Sequence, residues 1–79
     1  MEIMAQQYLV VYEKSADGWG AYVPDLPGLG VVGDTLEEVQ RLIREAIELH
    51  LESLKEHGDP IPKPAAKSDY VDVDASLLA

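Results

Sequence analysis

Carboxylates and imidazoles are the side chains through which this chain could do chemistry. Asp25 stands between Pro24 and Pro27, where a carboxylate could serve acid–base work or bind a metal. The simpler role for an aspartate in such a corner is to stabilise its own turn. Glu13, Asp17, Asp25 and Asp34 are the acids on which a two-metal hydrolytic site could draw. That chemistry needs several inward-pointing carboxylates within a few ångströms, and these four fall at turns and strand ends without a common focus. His50 lies in the middle of an apolar stripe, where an imidazole could respond to pH or hold a ligand. A core-edge histidine with one hydrogen-bond partner explains it more simply. His57 suits the negative end of a helix dipole, and no His/Asp/Glu spacing matches a zinc site. Trp19, Tyr8, Tyr12 and Tyr22 could stack on RNA bases, but no run of Lys or Arg accompanies them. Burial in a protein interface suits these aromatics better. Catalytic, cofactor-binding and metal-binding residues are therefore not expected.

Charge points the same way. Fifteen acidic residues against six basic ones give a formal charge of −9 over 79 residues. Nucleic-acid binding rests on Lys and Arg neutralising phosphates, so direct DNA or RNA binding is disfavoured and a nuclease so acidic would repel its substrate. An acidic domain instead speeds its encounter with basic partners, although acidity also serves solubility alone. There are no cysteines, hence neither disulfides nor thiolate metal ligands. No apolar run reaches the roughly 20 residues of a membrane span, and Met1–Val10 lacks the basic start and cleavage site of a signal peptide. A single small domain is expected over residues 1–79, soluble and cytoplasmic. A chain this short often gains stability from a partner subunit.

The elements that would position these side chains follow from periodicity. Gln7–Glu13 reads as a strand, Lys14–Gly18 as a turn with Asp-Gly supplying a positive φ, and Trp19–Val23 as a second strand ended by Pro24. Placing Glu13 opposite Trp19 sets Val11 against Ala21, Leu9 against Val23, Val10 against Tyr22 and Tyr12 against Gly20. That register puts Leu9, Val11, Trp19, Ala21 and Val23 on one face. Tyr8, Val10, Tyr12 and Tyr22 share the other. Gly30–Gly33 forms a short third strand.

Thr35 and Glu38 predict a capping box at a helix start. Gly58 and Pro60 mark the helix end. Leu36, Val39, Ile43, Ala46, Ile47, His50 and Leu54 fall on one stripe of about six turns. Arg41, Glu45, Glu48, Glu52, Lys55 and Glu56 fall opposite, with Glu37–Arg41 and Arg44–Glu48 as supporting pairs. Asp59–Ser68, carrying Pro60, Pro62 and Pro64, reads as an extended connection to a last strand at Tyr70–Val73. The class is α+β, in the order βββαβ. One helix can cover only one sheet face, here the face with Ala21. Tyr8, Val10, Tyr12 and Tyr22 are then left as an apolar patch, the mark of an oligomer or partner interface.

Pro24, Asp25, Leu26, Pro27 and Gly28, followed by Gly33, Asp34, Thr35 and Glu38, carry a family resemblance. With Gly18, Trp19, Ala21, Val23, Glu37, Ala46, Gly58, Ile61 and Pro62 at matching spacing, the chain resembles HicB-like antitoxins of type II toxin–antitoxin systems. Leu29 and Val39 depart from the common cysteine and alanine as tolerated packing changes. The motif itself is assigned a structural role. The resemblance implies a small mixed sheet in the order 3-2-1-4, its last strand parallel to the first, in a truncated ribonuclease-H-like arrangement. It also implies homo-oligomers and a partner that is a small basic toxin, a HicA-like ribonuclease whose active site the antitoxin blocks. Members often carry a C-terminal DNA-binding segment. Asp74–Ala79 is too short for one, so a stand-alone member that does not bind an operator is expected. An orphan homo-oligomeric scaffold of the same fold, or a small hydrolase with a vestigial metal site, are the competing expectations.

Overall fold

A computed structural model describes residues 6–78 of the chain. The expectation of a start without a signal peptide rests partly on residues 1–5, which lie outside the described residues, as does Ala79. Three strands, β1 (Val11–Ser15), β2 (Gly18–Tyr22) and β3 (Gly30–Gly33), precede one long helix, α1 (Leu36–Glu56). The strands form an antiparallel sheet in the order β1-β2-β3, the expected order for the first three. No fourth strand is present among the described residues. Tyr70–Val73 runs as exposed irregular chain and ends in a short 3₁₀ turn, Ala75–Leu78, whose first turn Asp74 caps through the Ser76 N–H.

The hairpin is tighter than expected, and that changes the faces of the sheet. Ala16 and Asp17 alone make the loop, so Ser15 pairs with Gly18 and Glu13 pairs with Gly20 rather than Trp19. A shift of one residue transfers every β1 side chain to the opposite face. Tyr12 now pairs with Ala21, and Val11 pairs with Tyr22. Tyr8, Val10 and Tyr12 consequently pack against the core beneath α1, not on the outer face. Trp19, Ala21 and Val23 keep their predicted side, while Val11 moves outward beside Tyr22 and Val32. The four residues Tyr8, Val10, Tyr12 and Tyr22 thus do not form one face. Gly18 serves close packing rather than a left-handed turn, since its backbone presses against that of Gly33.

Val23–Leu29 consists of two linked turns. Leu26 N–H donates to the Val23 carbonyl (3.0 Å), with Pro24 supplying the fixed φ at the second position. Leu29 N–H donates to the Leu26 carbonyl (3.1 Å) around Pro27 and Gly28, whose φ of 85° meets the type II requirement. These turns drive Leu26 inward, where it is completely buried with Ala21, Val23, Val39 and Ile43. Leu36, Ile47 and Leu51 extend that core along α1. The core is small for a free-standing domain.

The helix ends behave as their residues dictate. Thr35 is extended, and its hydroxyl accepts from the Glu38 N–H (3.1 Å). The Glu38 carboxylate lies over the Cα of Gly33 instead of closing the capping box. At the far end Gly58 N–H reaches the Lys55 carbonyl (3.2 Å) and Asp59 N–H the Leu54 carbonyl (2.9 Å). Those two bonds around the left-handed Gly58 make a Schellman ending. On the outer surface Arg41 pairs with Glu45 (3.7 Å), a register different from the two pairs expected. Both partners are more than half exposed, so the pair adds only a few tenths of a kcal/mol. Thr35→Ala is expected to cost about 1 kcal/mol in urea unfolding, while Thr35→Ser stays near wild type. Equal losses for both variants would refute a capping role.

Candidate interaction surface

Two turns and a proline-rich return bring the most specific contacts of the fold together. Asp25, at the end of β2 away from the hairpin, accepts from the backbone N–H groups of Ala66 (3.0 Å) and Ala65 (2.9 Å) through one oxygen. Those two donors, Ala66 first, hold its carboxyl below the ordinary value of 3.8. The expected role in its own turn is replaced: backbone bonds close the turns, and the Asp25 carboxylate staples residues forty positions away. A carboxylate already engaged by two N–H groups is a poor general base. Tyr8 adds a second tie by donating from its hydroxyl to the Pro62 carbonyl.

The sign of the pH effect follows from the lowered value. The staple contributes fully at neutral pH, weakens as pH falls past the ordinary carboxylate range, and is lost below the depressed folded value. Amide hydrogen exchange at Ala65 and Ala66 is expected to be slow at pH 7 and to accelerate in Asp25→Asn. Unchanged exchange at both amides would show that the staple does not form.

The other candidate acids do not converge with Asp25. Glu13, Asp17 and Asp34 line a shallow concavity at the hairpin end, beside Trp19 and the Lys14 ammonium, which lies 5.5 Å from the indole centroid. Among the described residues no three His, Asp or Glu side chains are grouped to hold a metal ion. His50 is half-buried on the helix stripe. His57 donates from Nδ1 to the Ser53 carbonyl (2.7 Å), a role in finishing the helix.

Two apolar surfaces remain. The outer sheet face carries Val11, Tyr22 and Val32, the last 80% exposed. The second is an open groove of about 900 Å³ between residues 6–12 and α1, lined by Tyr8, Val10, Tyr12, Ile43 and Ile47, with Arg44 among its polar residues. It flanks the free edge of β1, and the return segment passes it at Ala66. This groove is absent from the reading of the sequence. The alternation of Tyr8, Val10 and Tyr12 was its signal, and a two-residue hairpin loop would have turned that alternation inward.

A three-stranded sheet under one helix, with apolar surfaces and, among the described residues, no cluster of metal-ligating side chains, defines an α+β domain of one helix on one sheet. A family model described as HicB_like antitoxin of bacterial toxin-antitoxin system matches residues 8–75, and the chain belongs to that family. It is 47% identical over 57 residues to a UPF0150 protein of Synechocystis sp., covering 71% of this chain and 72% of the relative. It is 38% identical over 64 residues to a 14.9 kDa protein of Haemophilus phage HP1, covering 81% and 48%. Antitoxin HicB 2 of Photorhabdus laumondii is 32% identical over 74 residues, covering 92% and 53%. The chain thus spans about half the length of the phage protein and of the Photorhabdus antitoxin. No solved structure matches it. Among the described residues no helix is long and apolar enough to cross a membrane.

Proposed function

We propose that this chain is a non-enzymatic antitoxin domain that neutralises a small basic ribonuclease toxin by covering its active site. Membership of the HicB-like antitoxin family across residues 8–75 carries the reading. The net charge of −9 supports it, since a basic partner is drawn to an acidic surface. Glu45, Glu48, Glu52 and Glu56 lie exposed on α1 and supply an acidic docking face. The domain works in the cytoplasm and meets protein rather than nucleic acid.

The test is co-expression with a neighbouring open reading frame that encodes a small basic protein. Co-purification and rescue of growth are expected. Glu45→Lys with Glu48→Lys and Glu52→Lys should slow association roughly tenfold or more at low salt, with a smaller effect at high salt. Neither binding nor rescue would end the reading.

A second reading, a homo-oligomeric scaffold without a toxin, is favoured by the outer apolar face and the exposed C-terminal run. Self-association is compatible with both readings and is proposed here in either case. A ribonuclease-H-like sheet in the order 3-2-1-4 then needs its fourth strand from elsewhere.

A further inference from the structure

We propose that a second apolar seam on α1, the line of Leu42 and Leu49 edged by Glu45, Glu52 and Glu56, docks the basic toxin, with Leu49 as its anchor. The proposal rests on the antitoxin reading above and names the contact through which that binding is held.

The helix carries more apolar surface than the sheet uses. Among the described residues, the α1 side chains that form the core or pack against it are Leu36, Val39, Ile43, Ile47 and Leu51. Leu42 is half-buried and Leu49 is 66% exposed, and neither belongs to that set. Positions seven apart return to nearly the same side of a helix. Leu42 and Leu49 therefore lie in line, about a quarter of a turn round from the Val39/Ile43 line. A single exposed leucine is ordinary on a soluble surface. Two in line at this spacing are how a helix fills an apolar groove on a partner. Leu49 is also well placed for contact. The fully buried residues of α1, Val39 and Ile43, both stand in its first half, and Leu49 stands in the second.

Charge identifies the partner. Glu45, Glu52 and Glu56 are exposed and border the seam on its solvent side, less than a quarter of a turn from it. Arg44 and Lys55 lie about a third of a turn away or more. Arg41 is nearer, but its pair with Glu45 at 3.7 Å is exposed at both partners and yields readily to a competing cation. An apolar line with a carboxylate rim matches a surface whose own apolar groove is rimmed by Lys or Arg. A second copy fits poorly, since it brings the same glutamates together in two molecules that each carry −9. Nucleic acid and anionic lipid are repelled for the same reason.

The two kinds of contact act on different rates. The glutamates steer the encounter and so set how fast the complex forms. The leucine loses water only in the finished complex and so sets how slowly it comes apart.

The test uses the full chain and the small basic protein encoded beside it, with rates read by surface plasmon resonance. Leu49→Ala should weaken the complex roughly tenfold to a hundredfold, as the loss of one buried leucine predicts. The loss should fall in the dissociation rate and be equal at low and high salt. Urea unfolding of this variant should match wild type, and Leu49→Met should keep the affinity. Val32→Ala, at a sheet position 80% exposed, should leave binding unchanged. If wild type binds and Leu49→Ala binds as tightly, or Val32→Ala carries the loss instead, the seam is overturned and the antitoxin reading stands. Altered sedimentation of free Leu49→Ala would give the seam to a second copy and overturn it as a toxin surface. A wild-type chain that does not bind overturns both.

Discussion

Leu26→Ala is expected to lower stability by about 2–5 kcal/mol, the range for truncating a fully buried leucine. At roughly 0.05–0.15 kcal/mol per residue the whole domain is worth only about 4–12 kcal/mol, so the variant stands near the unfolding threshold. The reason is the size of the core. Leu26 is completely buried among Val23, Val39, Ile43 and Ala21, and so few neighbours cannot collapse into the space left behind. Its backbone is also fixed by a turn on either side, which prevents compensating movement. Trp19, the single tryptophan, gives a fluorescence signal for urea unfolding. Leu49→Ala, at a helix position 66% exposed, serves as the comparison and should fall within about 0.5 kcal/mol of wild type. A Leu26 variant as stable as the Leu49 variant would remove the motif from the core.

Gly18→Ala is expected to cost about 3 kcal/mol, the upper part of the range for overpacking. A Cβ on Gly18 would drive into the carbonyl oxygen of Gly33 and come within 3.3 Å of the Asp34 Cα. These are backbone atoms at the point where β3 hands over to α1, so relief requires moving the helix start and not a flexible side chain. Two controls separate this cause from others. At Gly20 an added Cβ meets only ordinary contacts, at 3.6 and 3.9 Å, and alanine should be tolerated there. At Gly28 it meets nothing within 4 Å, but the φ of 85° strains alanine by about 1–2 kcal/mol. The order of loss expected in thermal or urea unfolding is Gly18, then Gly28, then Gly20. A reversal of the first two would show that conformation outweighs contact at the hairpin.

The helix shows how far local sequence carries. Thr35, Gly58 and the apolar stripe located α1 to within a residue at each end, because capping and helical periodicity are properties of neighbours in sequence. The stripe also named Val39 and Ile43, which the structure buries. The hairpin shows where this legibility stops. A loop drawn from Lys14 to Gly18 differs from the observed Ala16–Asp17 loop by very little chain. That difference moves Tyr8, Val10 and Tyr12 from the supposed outer patch to the core side. Both faces of this sheet are apolar, so composition offered no check on the register.

The Val23-Pro24-Asp25-Leu26-Pro27-Gly28 corner divides the two kinds of information. Residue types alone determined the family, the turns and the absence of a basic surface, since each depends on identity, spacing or summed charge. Only the tertiary structure decided that Leu26 fills the core and that Asp25 holds Ala65 and Ala66 across forty positions. It also decided that Tyr70–Val73 leaves the body instead of completing the sheet. Each of those depends on which distant segments meet. A distant meeting is fixed by the balance of core burial against chain stiffness over the whole fold, which no local pattern records.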